Sequence, residues 1–311
     1  MKRNAFSITG EAPFHLARTV ISILGALLVL IFLSGCAVSA ASQPTPTITP
    51  LTLCRPIYDG DKPRDVPGLF YSSAVGDTYR IYLSLPAGYE PETAEGYPVV
   101  YLLDGDWYFD GSNPRIGGQG AMGIAAALSK QGLIPPVILV GIGYPQGSLR
   151  GRDFLWDYSR FYAFLTGELI PIVDERLNTS LAAGRTLIGH SDGGFFTFYA
   201  FSRSKQSSGD EPFSKFIAIS GDFTKRSGSM FRREASLYDR IKADGVLNVS
   251  LYMAVGGREE ERFVDSNREM AEMLGSRNYA GFKFKSMVYS SLNHGNVVRP
   301  AIWDGLKWVF G

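Results

Sequence analysis

Residues Gly189 to Gly194 read GHSDGG, a Gly-x-Ser-x-Gly pattern. A serine hydroxyl is a poor nucleophile until a base removes its proton, and it must stand clear of the chain that carries it. A sharp strand-to-helix turn presents it that way, with strained backbone angles at the serine and glycines at Gly189 and Gly193 leaving room for the bend. The flanks agree, since an apolar run at 186–188 precedes the motif and an aromatic-rich helical stretch follows at 195–201. Ser191 is therefore the candidate nucleophile. The chain has only three histidines from which to draw its general base. His15 falls in the N-terminal segment discussed below. His190 adjoins the serine at a strand end, where neighbouring side chains point to opposite faces, so its imidazole is expected to pack away from Ser191. That leaves His294, in the turn SLNHGN after the apolar run 282–289.

The elements that must position these residues are legible as alternating patterns. Strand-length apolar runs fall at 79–85, 99–103, 137–142, 185–189, 216–220, 249–255 and 282–289. Helical stretches lie at 161–177, interrupted by Gly167 and Pro171, at 195–204 and at 297–310. Near-continuous apolar strands alternating with helices predict an α/β fold, a mostly parallel central sheet covered by helices on both faces. Ligands in such sheets bind outside the carboxyl ends of the strands. Ser191, the loop 104–109, Glu259 and His294 each follow directly after a strand candidate, so topology alone predicts that they converge.

The segments SSAVGDTYRIYLSLPAGY, YPVVYLLDGD, RGRDF, GHSDGGFF, AVGGREE, NHGNVV and DGLKWVF, in that order, resemble the putative esterase family of α/β-hydrolases, which includes esterase D-like, feruloyl, acetylxylan and enterochelin esterases and the mycolyltransferases. The likeness runs from Ser72 to Phe310 and implies an α/β-hydrolase fold. It implies a triad acid at Glu259, where Val-Gly is followed two residues later by a carboxylate, with Glu260 and Glu261 as close competitors and Asp222 next in line. It also implies an oxyanion hole built from the backbone N–H groups of Asp192 and Asp106, for which side-chain identity should hardly matter. Arg150, Arg152 and Asp153 resemble a family loop near the site. Trp107, Tyr108, Arg152 and Trp156 are candidate substrate-pocket residues. After the strand at 216–220 this chain has SGDFTK where many members have Ser-Pro and an aromatic, a change in the pocket wall.

The N-terminus has a different logic. Lys2, Arg3 and Arg18 precede an uncharged apolar run at 20–33, followed by LSGC and a small-residue, Pro/Thr-rich stretch. This pattern reads as an export signal, and Leu33 to Cys36 resemble the lipobox of bacterial lipoproteins, in which the cysteine is lipidated. The expected organisation is a signal peptide at 1–35, a tether at 36–52 carrying lipidated Cys36, and a catalytic domain at 53–311. Loss of residues 1–35 takes the formal charge from +1 to −1, which offers nothing to a nucleic acid. With Cys36 lipidated, Cys54 has no disulfide partner. Three histidines and two cysteines are too few for a conventional zinc site. No metal or cofactor is expected.

These readings describe a lipid-anchored, extracytoplasmic serine carboxylic-ester hydrolase, facing the periplasm or cell exterior from the cell membrane or outer membrane. Its partner would be a small-molecule or polysaccharide-linked ester. A mycolyl-type acyltransferase and a silent ligand-binding lipoprotein are the alternatives.

Overall fold

The structure is a computed structural model that describes residues 68–112, 120–144, 149–204, 211–242 and 245–311, together with the backbone of two short paired strands, β1 (Ile57–Asp59) and β2 (Lys62–Arg64). The export segment, Cys36, the tether and Cys54 lie outside the described residues.

Eight strands form one sheet: β3 (Gly68–Ser72), β4 (Asp77–Ser84), β5 (Val99–Leu103), β6 (Ile138–Gly143), β7 (Arg185–His190), β8 (Lys215–Ile219), β9 (Ser250–Gly256) and β10 (Lys283–Tyr289). Their spatial order is β3-β4-β6-β5-β7-β8-β9-β10. From β6 to β10 all pairings are parallel, while β3 and β4 run antiparallel at one edge.

The period-two alternation of strand side chains divides the core between the two faces. Val99, Tyr101 and Leu103 of β5 enter one cluster, with Phe216 and Ala218 of β8. Val100 and Leu102 enter the other, with Ile217 and Ile219. Helices α3 (Tyr158–Phe164), α4 (Ile170–Arg176), α5 (Asp192–Ser202) and α6 (Lys225–Ile241) cover the first face; α2 (Gly120–Lys130) and α8 (Val298–Phe310) cover the second. A short helix α1 (Gly105–Tyr108) follows β5, and α7 (Glu261–Ser276) follows β9.

The expected helix at 161–177 runs unbroken from Tyr158 to Arg176 but carries a π-helical turn, Leu165–Leu169, between α3 and α4. Gly167 lies in that turn and Pro171 just after it, where the altered hydrogen-bond pattern accommodates the missing N–H. Helix α5 is buried all round from Gly193 to Ser202, which explains why the motif is followed by aromatics without an amphipathic period. Phe195, Phe196, Phe198 and Phe201 are each wholly buried, and burial of such a ring contributes about 1.5–3 kcal/mol. The nucleophile turn is thus fixed to the most deeply buried helix of the fold.

Candidate active site

Ser191 lies between the last residue of β7 and the first of α5 with φ 60° and ψ −119°. A non-glycine residue in that region is strained and persists only where its surroundings over-determine it. Here its N–H donates to Ile219 O at 2.8 Å, tying the turn to β8. A Cβ on Gly189 would stand 2.2 Å from Gly193 O, and one on Gly194 would stand 2.4 Å from Ile219 O. At Gly193 it would meet side chains alone, the Asp104 carboxylate at 3.2 Å and Leu103 at 3.6 Å. The tightest requirement for glycine is therefore at Gly189 and Gly194, whereas the sequence pattern points to Gly189 and Gly193. Asp104 (φ 55°) and Ser220 (φ 50°) are also left-handed. All three directly follow strands, β5, β7 and β8, so the strain gathers at the carboxyl ends of neighbouring strands.

Glu259 and His294 come from the loops after β9 and β10. The buried Glu259 carboxylate places Oε2 2.5 Å from His294 Nδ1, while Oε1 accepts from Ser220 Oγ and from Gly256 N–H, both at 2.6 Å. The carboxylate only accepts, so Nδ1 carries the hydrogen and Nε2 is left with its lone pair. Two backbone bonds join the loops, Gly257 N–H to Tyr289 O at 2.8 Å and Arg258 N–H to Leu292 O at 2.9 Å. The His294 ring packs against Phe263, centroids 4.6 Å apart, and against His190, 4.4 Å apart. His190 is buried, with Nδ1 2.8 Å from Tyr108 Oη. It is a packing residue, but it packs against the ring of His294 itself. Glu260 is exposed and pairs with Arg262 at 3.1 Å, Glu261 opens α7, and the Asp222 carboxylate is taken up by Thr224, whose N–H donates to it at 3.1 Å.

Ser191 and His294 line one cleft of about 470 Å³, with Lys225, Arg258, Arg262 and Phe263 around them. Asp192, Glu259 and Glu260 line it too, and Lys225 pairs with Asp192 and Arg262 with Glu260, so its three cationic side chains are matched by three carboxylates.

The two backbone amides expected to face a developing negative charge belong to residues whose side chains are anchored. Asp106, in α1, accepts from Arg80 Nη1 at 2.8 Å, from Tyr82 Oη at 2.6 Å and from Tyr144 N–H at 2.5 Å. Asp192, first in α5, is held by Arg150 Nη1 at 3.2 Å and by Lys225 Nζ. Both side chains are thus tied into the fold beside the amides expected to form the oxyanion hole.

The expected pocket residues are used differently. Tyr108 is buried beneath His190, and Trp107 lies under the Arg150 guanidinium, 5.0 Å from the ring centroid. Arg152 bridges Asp153 and Asp77, each at 2.7 Å, and so joins the loop before α3 to β4. Trp156 is 69% exposed, with Arg226 5.0 Å over its ring. None of the four lines the Ser191 cleft. Besides Ser191, Glu259 and His294, the cleft is lined by Lys225 at the start of α6, Arg258 in the connection after β9 and Arg262 in the first turn of α7, surface-type residues with no local signal in the sequence.

A parallel sheet with this strand order, an antiparallel edge, a strained serine after the fifth strand of the sheet and a His–carboxylate pair on the last two loops define an α/β-hydrolase. Residues 72–291 match the model of the Putative esterase family, and the chain belongs to that family. It is a serine hydrolase acting on esters. The chain is 25% identical over 258 residues to the ferri-bacillibactin esterase BesA of Bacillus subtilis, covering 74% of this chain and 84% of the relative. Among solved structures it is similar to the BES protein of Bacillus cereus, with 24% identity, a TM-score of 0.67 and coverage of 82% of this chain and 97% of the other. An IroE-like serine hydrolase of Shewanella oneidensis is similar to the same degree, at 24% identity and TM-score 0.67, over 79% of this chain and 80% of the other.

Proposed function

We propose that the chain hydrolyses the ester bonds of an iron-siderophore complex through an acyl-enzyme on Ser191, and that it does so outside the cytoplasm, anchored by lipid on Cys36. The observation that carries the mechanism is the 2.5 Å contact between Glu259 and His294 in the cleft that also holds Ser191. His294 Nε2 takes the Ser191 proton as Oγ attacks the ester carbonyl, and Glu259 stabilises the imidazolium that results. The Asp106 and Asp192 N–H groups receive the carbonyl oxygen as it becomes an oxyanion. Collapse of the tetrahedral intermediate breaks the C–O bond, and His294 returns its proton to the departing alkoxide. Water then repeats the attack on the acyl-serine with His294 as base, releasing the acid and restoring the hydroxyl.

The substrate reading is supported by the name of the Bacillus subtilis relative, a ferri-bacillibactin esterase. The location is supported by the apolar run at 20–33 and the LSGC that ends in Cys36.

The test is a substrate panel. Ferric and iron-free siderophore esters, p-nitrophenyl esters, and feruloyl and acetyl sugars are compared by kcat/KM for wild type and Ser191→Ala, with and without an added alcohol acceptor. The reading requires the ferric siderophore ester to be the best substrate and Ser191→Ala to be inactive and unreactive toward a fluorophosphonate probe. Preference for a sugar ester, or transfer to the alcohol in place of hydrolysis, would replace it. Fatty-acid labelling lost in Cys36→Ser tests the anchor.

A further inference from the structure

Arg150 reaches both halves of the site. Its Nε donates to Asp104 Oδ1 at 2.9 Å and its Nη2 to Asp104 Oδ2 at 3.1 Å, a two-pronged pairing. Nη1 donates to Asp192 Oδ2 at 3.2 Å, and Nη2 also reaches His190 O at 3.3 Å. Asp104 directly follows β5 and lies two residues before the Asp106 amide; His190 and Asp192 flank Ser191. One guanidinium therefore spans the loop after β5 and the nucleophile turn after β7.

The clamp is itself held. Its guanidinium carbon lies 5.0 Å from the Trp107 ring centroid and 5.7 Å from that of Phe154. The Asp104 carboxylate is buried and wedged against Gly193, where a Cβ would stand 3.2 Å from Oδ2. A planar fork with five donors makes these four bonds at once, two of them a parallel pair on one carboxylate; an ammonium has three donors and no fork and cannot reproduce them.

We infer that Arg150 is the positioning residue of the oxyanion hole, setting the separation of the Asp106 and Asp192 amides and countering the buried Asp104 carboxylate and, with Lys225, that of Asp192. The inference rests on the assignment of those two amides under the proposed function. Two carboxylates next to a developing oxyanion would oppose it; the Arg150 guanidinium, together with Lys225 on Asp192, balances those two charges, and Arg150 does so without contacting substrate. Arg150 does not line the cleft. Its removal should therefore be felt in the transition state more than in substrate binding.

The experiment compares Arg150→Lys, Arg150→Met and Arg150→Met/Asp104→Asn with wild type and Ser191→Ala. Thermal midpoint, KM and kcat on one p-nitrophenyl ester are measured, together with Ki for a trifluoromethyl ketone that adds to a serine as an oxyanionic hemiketal. The double variant removes the buried Asp104 charge along with its partner, so it serves if Arg150→Met does not fold. The expected result is a fall in kcat on the order of 10²-fold or more, KM within about 3-fold, and a rise in Ki that follows kcat/KM. Arg150→Lys, which keeps the charge and loses the fork, should recover only part of it. Folded Arg150 variants with unchanged kcat, or with losses confined to KM, would overturn the inference while leaving the site assignment in place. Activity retained by Ser191→Ala would overturn the assignment and the inference together.

Discussion

Glu259 Oε2 lies 2.5 Å from His294 Nδ1 while its other oxygen accepts from Ser220 Oγ and Gly256 N–H at 2.6 Å each, so both oxygens of the buried carboxylate are committed as acceptors. An amide cannot reproduce this. In Glu259→Gln the NH2 group must face either His294 or the two donors. If the amide oxygen keeps Ser220 and Gly256, the NH2 meets Nδ1 and drives the imidazole to the tautomer with hydrogen on Nε2, which cannot accept from Ser191. The expected outcome is a loss in kcat/KM of about 10- to 10³-fold, less than the about 10⁴ of the protease template because esters have better leaving groups. Glu260→Gln should stay within about 3-fold, since Glu260 is exposed and its ion pair is with the exposed Arg262. Steady-state kinetics on one p-nitrophenyl ester compare the two; a larger loss at Glu260 would transfer the role.

His190 separates packing from chemistry. Its ring lies 4.4 Å from that of His294 and its Nδ1 2.8 Å from Tyr108 Oη. His190→Phe keeps an aromatic against His294 and gives up the Tyr108 bond, so kcat should fall by no more than about 10-fold. His190→Ala opens a gap beside the base and should cost more, up to about 10²-fold, the loss expected from a misplaced catalytic group. His294→Ala should lose about 10³- to 10⁶-fold and add little to Ser191→Ala, because the two act as a unit. Equal losses in His190→Phe and His294→Ala would mean the base is misassigned.

What the sequence reveals and what it hides follows from range. Ser191 and His294 stand out because the elbow needs a local motif and histidines are few. The inner strands stand out because parallel strands buried on both faces are apolar throughout. Strand β3 is hidden because Leu69 and Tyr71 point outward and are over half exposed, so no polar alternation marks it. Helix α6 is hidden for two reasons. Arg226, Ser227 and Gly228 at its start are left-handed, and its buried stripe Met230, Glu234, Leu237, Ile241 has a carboxylate in it. That carboxylate is matched by Arg277, at 3.1 Å, and by Tyr279 Oη, at 3.0 Å, more than forty residues away. Arg80 and Ser220 support the site through contacts 26 and 39 residues away in the chain, which no local pattern encodes. Arg150 stands out only by the family resemblance of its loop, and its partners Asp104 and Asp192 lie 46 and 42 residues away.

Alkaline stability should depend on buried phenols. Burial pushes the Tyr82 and Tyr252 hydroxyls up to about 12. The unfolded chain loses these protons near 10, before the folded one does. Their contribution is therefore fully present below pH of about 10 and declines as pH rises from there to about 12. Tyr252→Phe removes one such group and should make the decline shallower by up to about 1.4 kcal/mol per pH unit. Denaturant melts across that range, with tyrosinate absorbance as a second probe, measure the slope. An unchanged slope would mean that Tyr252 does not titrate in the unfolding transition.

The crossing of the last two loops gives the strictest steric prediction. A Cβ at Gly256 would stand 2.5 Å from Leu292 O, and one at Gly257 would stand 2.7 Å from Ser290 Cα. Both neighbours are backbone, so neither can rotate aside, and the loops must part by several tenths of an ångström. Overpacking of this kind costs about 1–3 kcal/mol. The parting opens between Glu259 and His294, which the two loops carry, while Ser191 sits on a different pair of strands. Gly256→Ala and Gly257→Ala should therefore lower activity by more than their melting temperatures suggest, with a kcat loss of about 10- to 10²-fold in protein that is still folded. Gly275→Ala, in α7 with nothing within 4 Å of its Cβ position, is the control and should be stabilising by about 0.4–1 kcal/mol at unchanged kcat. Thermal melts paired with kcat for the three variants test the argument: if activity in Gly256→Ala and Gly257→Ala tracks stability alone, the glycines serve packing and the register of the Glu259–His294 pair is set elsewhere.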